Sequence, residues 1–294
     1  MIRNQPDLEK ALCECFRRPV RVVARQSVGG GSINRTSVLT LDDRTRVFLK
    51  QNSGSHDRLF EAEAAGLEVL SRAPGPRAAR PLALYQAADS QYLALEYIAS
   101  GSRAAGFWER FGGAMAELHR GGAETRYGFE MNNHIGQTPQ INSWHDSWLE
   151  FYAECRLGYQ IQLARRRGLV DAGTVAAVEG IMERLDRYLP EPDSPSLLHG
   201  DLWGGNYMVG PDGHAVLIDP AVYWGHREAD LAMTELFGGF SAQFYRSYEE
   251  AWPLDPGYRE RVDLYNLYHL LNHLNLFGRS YAGSVRSIIA RYAP

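Results

Sequence analysis

The apolar positions of this chain change their period about a third of the way along it. Between residues 20 and 100 they fall in short runs and alternations of period two, which predict strands. These are Val20–Ala24, Thr36–Leu41, Arg46–Lys50, Pro81–Tyr85 and Tyr92–Tyr97. One segment, Asp57 to Ser71, has helical spacing instead, and Ala73-Pro74-Gly75-Pro76 stops it. From about residue 103 helical stripes dominate. Phe107, Phe111, Met115 and Leu118 form one; Val175, Val178, Met182, Leu185 and Leu189 form the next. Tyr265, Tyr268, Leu271 and Leu274, running toward Phe277, form the third. A short polar helix carrying Lys10 precedes the first strand. The pattern predicts an α+β chain in two lobes, a small sheet-rich one over 1–98 and a larger helical one over 99–294. Ile98 to Gly101 would join them.

Periodicity also singles out one charge. Phe60, Glu63, Leu67 and Leu70 lie three, four and three residues apart, so they share one helix face. Glu63 therefore points with the apolar stripe, where an unpaired carboxylate is costly. Composition suggests its partner. Of 31 cations all but Lys10 and Lys50 are arginine, so a lysine retained at Lys50, at the end of a strand, stands out. Its compact ammonium reaches phosphate oxygens as a point charge, which a planar guanidinium does not replace. Gly29-Gly30-Gly31, between two strands about twenty residues earlier, allows backbone N–H groups close to phosphate. Gly30 and Gly31 are candidate nucleotide contacts.

The richest stretch is His199-Gly200-Asp201-Leu202-Trp203-Gly204-Gly205-Asn206, followed by Ala215-Val216-Leu217-Ile218-Asp219. Asp201 and Asn206 are five apart, and Asp219 lies thirteen further on at the end of an apolar run. This is the layout of a kinase catalytic loop and a metal-binding aspartate. Asp201 is the candidate base for a substrate hydroxyl, and Asn206 with Asp219 the candidate Mg²⁺ ligands.

The remaining composition excludes more than it suggests. Apolar residues are 45% and charged residues 22%, ordinary for a globular chain, and no apolar run approaches the length of a membrane span. A net charge of −4 gives no reason to expect nucleic acid or an anionic membrane as a partner. Three cysteines, with no Cys/His spacing suited to a metal and no secretion signal at the N-terminus, point to a reduced cytoplasmic protein. Oligomeric state is open.

On the run from His199 to Asn206, with Asp219-Pro220-Ala221, Tyr223-Trp224-Gly225-His226-Arg227-Glu228 and Asp230-Leu231-Ala232, the chain resembles the fructosamine kinase (ketosamine 3-kinase) family. Gly136-Gln137-Thr138-Pro139-Gln140, Trp148 to Tyr152 with Arg156-Leu157, and Leu271-Asn272-His273-Leu274-Asn275 also fit it. The resemblance covers nearly the whole chain. It implies a protein-kinase-like fold related to aminoglycoside and choline kinases. It also implies ATP and Mg²⁺ as cofactors and phosphorylation of the 3-hydroxyl of ketosamines, free or protein-bound, leading to deglycation. Glu96, Tyr97 and Ile98 would form the adenine hinge, Lys50 and Glu63 the phosphate-holding pair. His199 and Asp230 would support the catalytic loop. Trp203 would either stack on the sugar or anchor the loop. Gly200 stands where a regulated protein kinase has arginine, and eleven positions from Asp219 to Asp230 leave no room for an activation segment. A small substrate and constitutive activity are expected. The rivals are another small-molecule kinase of this fold, acting on an aminoglycoside or amino alcohol, and a catalytically inactive nucleotide-binding scaffold.

Overall fold

The computed structural model describes residues 6–29, 34–53, 58–87, 90–122 and 124–292. Helix α1 (Pro6–Phe16) leads into β1 (Val22–Val28), β2 (Arg35–Leu41) and β3 (Arg46–Ser53). Helix α2 (Leu59–Arg72) and the short β4 (Arg77–Ala78) precede β5 (Pro81–Ala87) and β6 (Ser90–Glu96). Five of these strands form an antiparallel sheet in the order β1-β2-β3-β6-β5, with β3 at its centre. Strand alternation then sorts the side chains of β3. Val47 and Leu49 face outward, into a small core with Leu8 and Leu12 of α1. Phe48 and Lys50 face the other way, and Phe48 packs against the main core that includes Phe60, Leu67 and Leu70 of α2. Each expected strand is found, the first starting two residues later and running on to Val28.

The remainder is mainly helical. Helix α3 (Phe107–Arg120) buries the predicted stripe of Phe107, Phe111, Met115 and Leu118. A hairpin of β7 (Asn133–Ile135) and β8 (Thr138–Gln140) follows, then α4 (Trp148–Phe151). That helix runs through a π-helical turn at Tyr152–Gly158 into α5 (Tyr159–Arg166), and α6 (Ala172–Met182) packs beside it. Strands β9 (Ser196–Leu198), β10 (Tyr207–Val209), β11 (Ala215–Leu217) and β12 (Tyr223–Gly225) frame the catalytic-loop motif. Helices α7 (Glu228–Leu236), α8 (Ala242–Ala251), α9 (Tyr258–Phe277) and α10 (Ala282–Tyr292) close the chain. The whole is a two-lobed α+β kinase-like fold. No helix among the described residues is long and apolar enough to cross a membrane.

Arg156, on the π-helical turn, is fully buried and forms no ion pair among the described residues. Its guanidinium lies 3.9 Å from the centre of the Tyr223 ring and 4.4 Å from that of Phe151. It donates to the Ile141 carbonyl at 2.6 Å and to Asn142 Oδ1 at 2.9 Å. Ring faces and carbonyls thus replace the missing counter-ion. From Asn142 the buried amides continue upward. Gln140 Nε2 donates to the Ala221 carbonyl, and Asn133 Nδ2 to that of Val222. The β7–β8 hairpin is therefore pinned to the residues that follow Asp219.

Helix α2 meets the same residues from the other side. Gly66 sits in mid-helix, where glycine costs roughly 1 kcal/mol relative to alanine. A Cβ at this position would lie 3.1 Å from Val222 Cγ2 and 3.6 Å from the Pro220 ring. The bare backbone lets α2 lie against the segment after Asp219. Gly66→Val overpacks this contact and should destabilise the protein by about 1–3 kcal/mol. Thermal unfolding should show the loss, and Val222→Ala in the same chain should recover part of it. No recovery would mean that the contact is not the source.

Acid stability follows from two buried histidines. Burial pushes both His226 and His269 down to about 3 from an ordinary value of 6.5. Between these values the unfolded chain takes up protons that the folded chain refuses, so stability falls as pH drops below about 6.5. Each histidine contributes a slope of about 1 kcal/mol per pH unit in that window. The Asp201 carboxyl, raised by burial to about 7, opposes one of the two slopes. Urea midpoints should still decrease from pH 7 to pH 5, and more steeply in Asp201→Asn; a profile that rises in that variant would contradict the assignment.

Candidate active site

Lys50 and Glu63 meet, and a third group joins them. Lys50 Nζ donates to Glu63 Oε1 at 2.6 Å and to Asp219 Oδ1 at 2.6 Å. The lysine is 5% exposed, so its charge depends on these two carboxylates. Burial would push its pKa down, but Asp219 and Glu63 outweigh it and the ammonium is held above its ordinary value. Asp219 itself takes a left-handed backbone, φ 54°, an uncommon and costly conformation for a non-glycine residue. Its side chain is 46% exposed, and its second oxygen has no partner among the described residues.

The catalytic-loop motif folds around its own hydrogen bonds. Asn206 Nδ2 donates to the Asp201 carbonyl at 2.8 Å and to its carboxylate at 2.9 Å. The amide nitrogen is thereby used, and Asn206 Oδ1 is left as an acceptor beside the cavity. Burial pushes the Asp201 carboxyl up to about 7, against the lowering effect of the Asn206 bond.

Asp230, near the N-terminus of α7, supports the loop from beneath. Its carboxylate accepts from the backbone N–H groups of His199 at 2.7 Å and Gly200 at 2.8 Å. His119 Nε2 lies 3.2 Å from it, and the other nitrogen of that ring meets Tyr248 Oη at 2.8 Å. Burial alone would raise the Asp230 pKa, but the His119 contact and the amide bonds hold it below the usual carboxylate range. His199 contributes through its ring. Nε2 bonds the Ile218 carbonyl at 3.0 Å and Nδ1 accepts from Asp201 N–H at 3.3 Å, which fixes one neutral tautomer. Gly200 has φ +81°, and a Cβ there would lie 2.0 Å from the Ala221 carbonyl oxygen. Glycine at this position has a steric reason that is independent of regulation.

Lys50, Glu63, Asp201, Asn206 and Asp219 border one cavity of about 320 Å³. Asn34, Thr36, Lys50 and Glu63 line the sheet side, and Asp201, Asn206 and Asp219 the floor. The far wall comes from residues 133–136 of the hairpin and from Asn272, His273 and Phe277 of α9. Trp203 also lines it, 39% exposed, with its ring against Gly205 and edge-on to Phe237 at 6.2 Å. Gly30 and Gly31 lie outside the described residues.

Glu96, Tyr97 and Ile98 do not line this cavity. The Glu96 carboxylate accepts from Arg80 N–H at 2.8 Å and pairs with Arg77, while Tyr97 lies under the Arg46 guanidinium at 3.9 Å. Ile98 is buried at the start of the connection between lobes. Four features escaped the periodicity argument. His119 is one helical residue among many, and only the fold carries it to Asp230. Gly66 carries no side chain and so adds nothing to a periodic pattern. The hairpin and the end of α9 had motif fragments but no assigned task.

Comparison with known proteins agrees with this architecture. A probable ketoamine kinase of Synechocystis sp. is 43% identical over 272 residues, covering 92% of this chain and 91% of the relative. A chloroplastic protein-ribulosamine 3-kinase of Arabidopsis thaliana is 40% identical over 277 residues, 90% of this chain and 81% of the relative. Among solved structures, one from Thermobifida fusca, provisionally named fructosamine-3-kinase, superposes with a TM-score of 0.86 at 34% identity, covering 98% of each chain. The fructosamine kinase family model matches residues 5–293, the span that carries every polar group described above. With that span matched almost end to end, this chain belongs to the fructosamine kinase family.

Proposed function

We propose that this protein transfers the γ-phosphate of ATP to the 3-hydroxyl of ketosamines, the adducts of a sugar with an amine, and so begins their removal. Family membership supports ATP as donor. The observation that carries the site assignment is the convergence of Lys50, Glu63, Asp201, Asn206 and Asp219 around one cavity, from two lobes. Residues 1–98 then serve the nucleotide, and 99–294 supply the catalytic loop and the acceptor wall.

Phosphoryl transfer asks mainly for positioning and charge neutralisation. Lys50 holds phosphate oxygens, and Glu63 keeps its ammonium aimed. Ile98, whose backbone N–H has no protein partner among the described residues, offers an edge for adenine. Asp201 accepts the hydroxyl proton at its carboxylate, which Asn206 orients. The backbone bonds from His199 and Gly200 to Asp230 fix where that carboxylate stands. Asn206 Oδ1 and the free oxygen of Asp219 form an all-oxygen donor set suited to a hard divalent cation, so these two residues would hold Mg²⁺. When bound, Mg²⁺ neutralises phosphate charge. Three free cysteines are consistent with work in a reducing cytoplasm.

Asp201→Asn should keep ATP binding within a few-fold and lower kcat by about 10²–10⁴. Steady-state turnover of a fructosamine and a ribulosamine, with the phosphorylated carbon located by NMR, measures this. Near-normal kcat in the variant would remove Asp201 as base. Turnover of an aminoglycoside or choline but of no ketosamine would replace the substrate class. Glu63→Gln leaves Lys50 with one anionic anchor. It should raise the KM for ATP about tenfold and leave the acceptor KM unchanged; an unchanged ATP KM would show that the pair does not hold the nucleotide.

A further inference from the structure

The described residues expose five large apolar side chains, and three of them stand together: Trp203 and Phe277 line the catalytic cavity, and Phe237 packs beside it against Trp203 and His273. The exposures of Trp203, Phe237 and Phe277 are 39%, 43% and 52%. An aromatic patch left open to solvent usually marks a contact surface. Here the rings also form a continuous series. Trp203 meets Phe237 at 6.2 Å between centroids, Phe237 meets His273 at 4.9 Å, and His273 meets Phe277 at 5.5 Å. Tyr281 backs the far end, 6.1 Å from Phe277.

An acceptor that reaches Asp201 from the side opposite Lys50 lies along this wall. The charge pattern there is one-sided. Among the described residues lining the cavity, Lys50 is the only arginine or lysine, and it is spent on two carboxylates, whereas Asp201 and Asp219 face the space. Among the described residues, the acceptor wall has no carboxylate of its own to pair with a cation. It has ring faces, together with the C-terminal end of the 20-residue α9, where the helix dipole favours positive charge. Arg279, the next cation along the chain, is turned away and donates to the Gly168 carbonyl at 3.1 Å. Burial lowers the His273 pKa, which keeps that ring neutral and compatible with a cation beside it.

We propose that the rim formed by Phe237, His273 and Phe277 binds the protonated amine of the substrate through its ring faces, so that the enzyme selects a cationic amine arm by cation–π contact and not by a salt bridge. This rests on the ketosamine reading above and deepens it. The sugar enters toward Asp201, and the carbon–nitrogen end lies over the rim. Phe237 and Phe277 are then specificity-determining residues, outside the groups that hold nucleotide or take the proton.

The test uses full-length protein loaded with Mg²⁺ and AMP-PNP, so that binding is read without transfer. The probes are 1-deoxy-1-(methylamino)fructose, which is cationic at neutral pH, and its neutral N-acetyl derivative, titrated by calorimetry. The wild type should bind the cation at least tenfold more tightly. Phe277→Ala and Phe237→Ala should each weaken the cation about five- to tenfold and leave the neutral probe and AMP-PNP within twofold. Phe277→Leu separates a ring face from plain apolar area and should behave like alanine, while Phe277→Tyr should behave like the wild type. Equal affinity for the two probes, or full affinity in the leucine variant, would overturn the proposal. Turnover of the same amine with ATP judges the ketosamine reading separately: cation-selective binding without phosphorylation would refute that reading and leave the rim assignment standing.

Discussion

The structure depends on one buried ammonium. Lys50 lies at the centre of the sheet, and its two carboxylate partners come from a helix thirteen residues on and from a turn 169 residues on. A lysine with almost no access to water keeps its charge only if both partners stay in place. The sheet, α2 and the turn at Asp219 are thereby fixed relative to one another. The neighbouring contacts follow the same requirement. Gly66 allows α2 to approach the chain after Asp219, and the β7–β8 hairpin holds the Ala221 and Val222 carbonyls from the opposite side. The left-handed backbone of Asp219 is maintained by this crowding.

A second centre, Asp230, does for the catalytic loop what Lys50 does for the lobes. One carboxylate takes up two successive backbone N–H groups and a histidine, and the loop above it turns where only glycine fits. Both centres are complete without a phosphate, a partner chain or a rearranged segment. The short path from Asp219 to Asp230 passes directly through β12 into α7. A site assembled in this way fits the proposal of a small acceptor in place of a regulated peptide site.

Much of this was legible in the sequence because it is local. The spacing of Asp201, Asn206 and Asp219 is set by a short loop and hairpin, and helical period alone turned Glu63 inward toward Lys50. The strands and the buried stripe of α3 were equally plain, since burial imposes their periods. What the sequence hid is long-range. His119 and Asp230 are 111 residues apart, and no pattern within α3 distinguishes that histidine from a surface one. Gly200 was readable as a missing arginine, whereas its steric cause, the Ala221 carbonyl, lies across the fold. The second partner of Lys50, Asp219, was already among the candidate metal ligands, but its link to the lysine appears only once the lobes are in place. The acceptor wall was the least legible part, because its rings come from three separate segments and none has a periodic reason to be exposed.

The scarcity of lysine has a chemical consequence. Reducing sugars condense with amines that are uncharged and reachable. Among the described residues this chain presents just one lysine to solvent, Lys10 on the first helix, because Lys50 is enclosed and protonated. The arginines supply the surface cations through a group that forms no such ketosamine. A protein that handles sugar-modified amines is thus nearly free of the ε-amine through which it would become an instance of its own substrate.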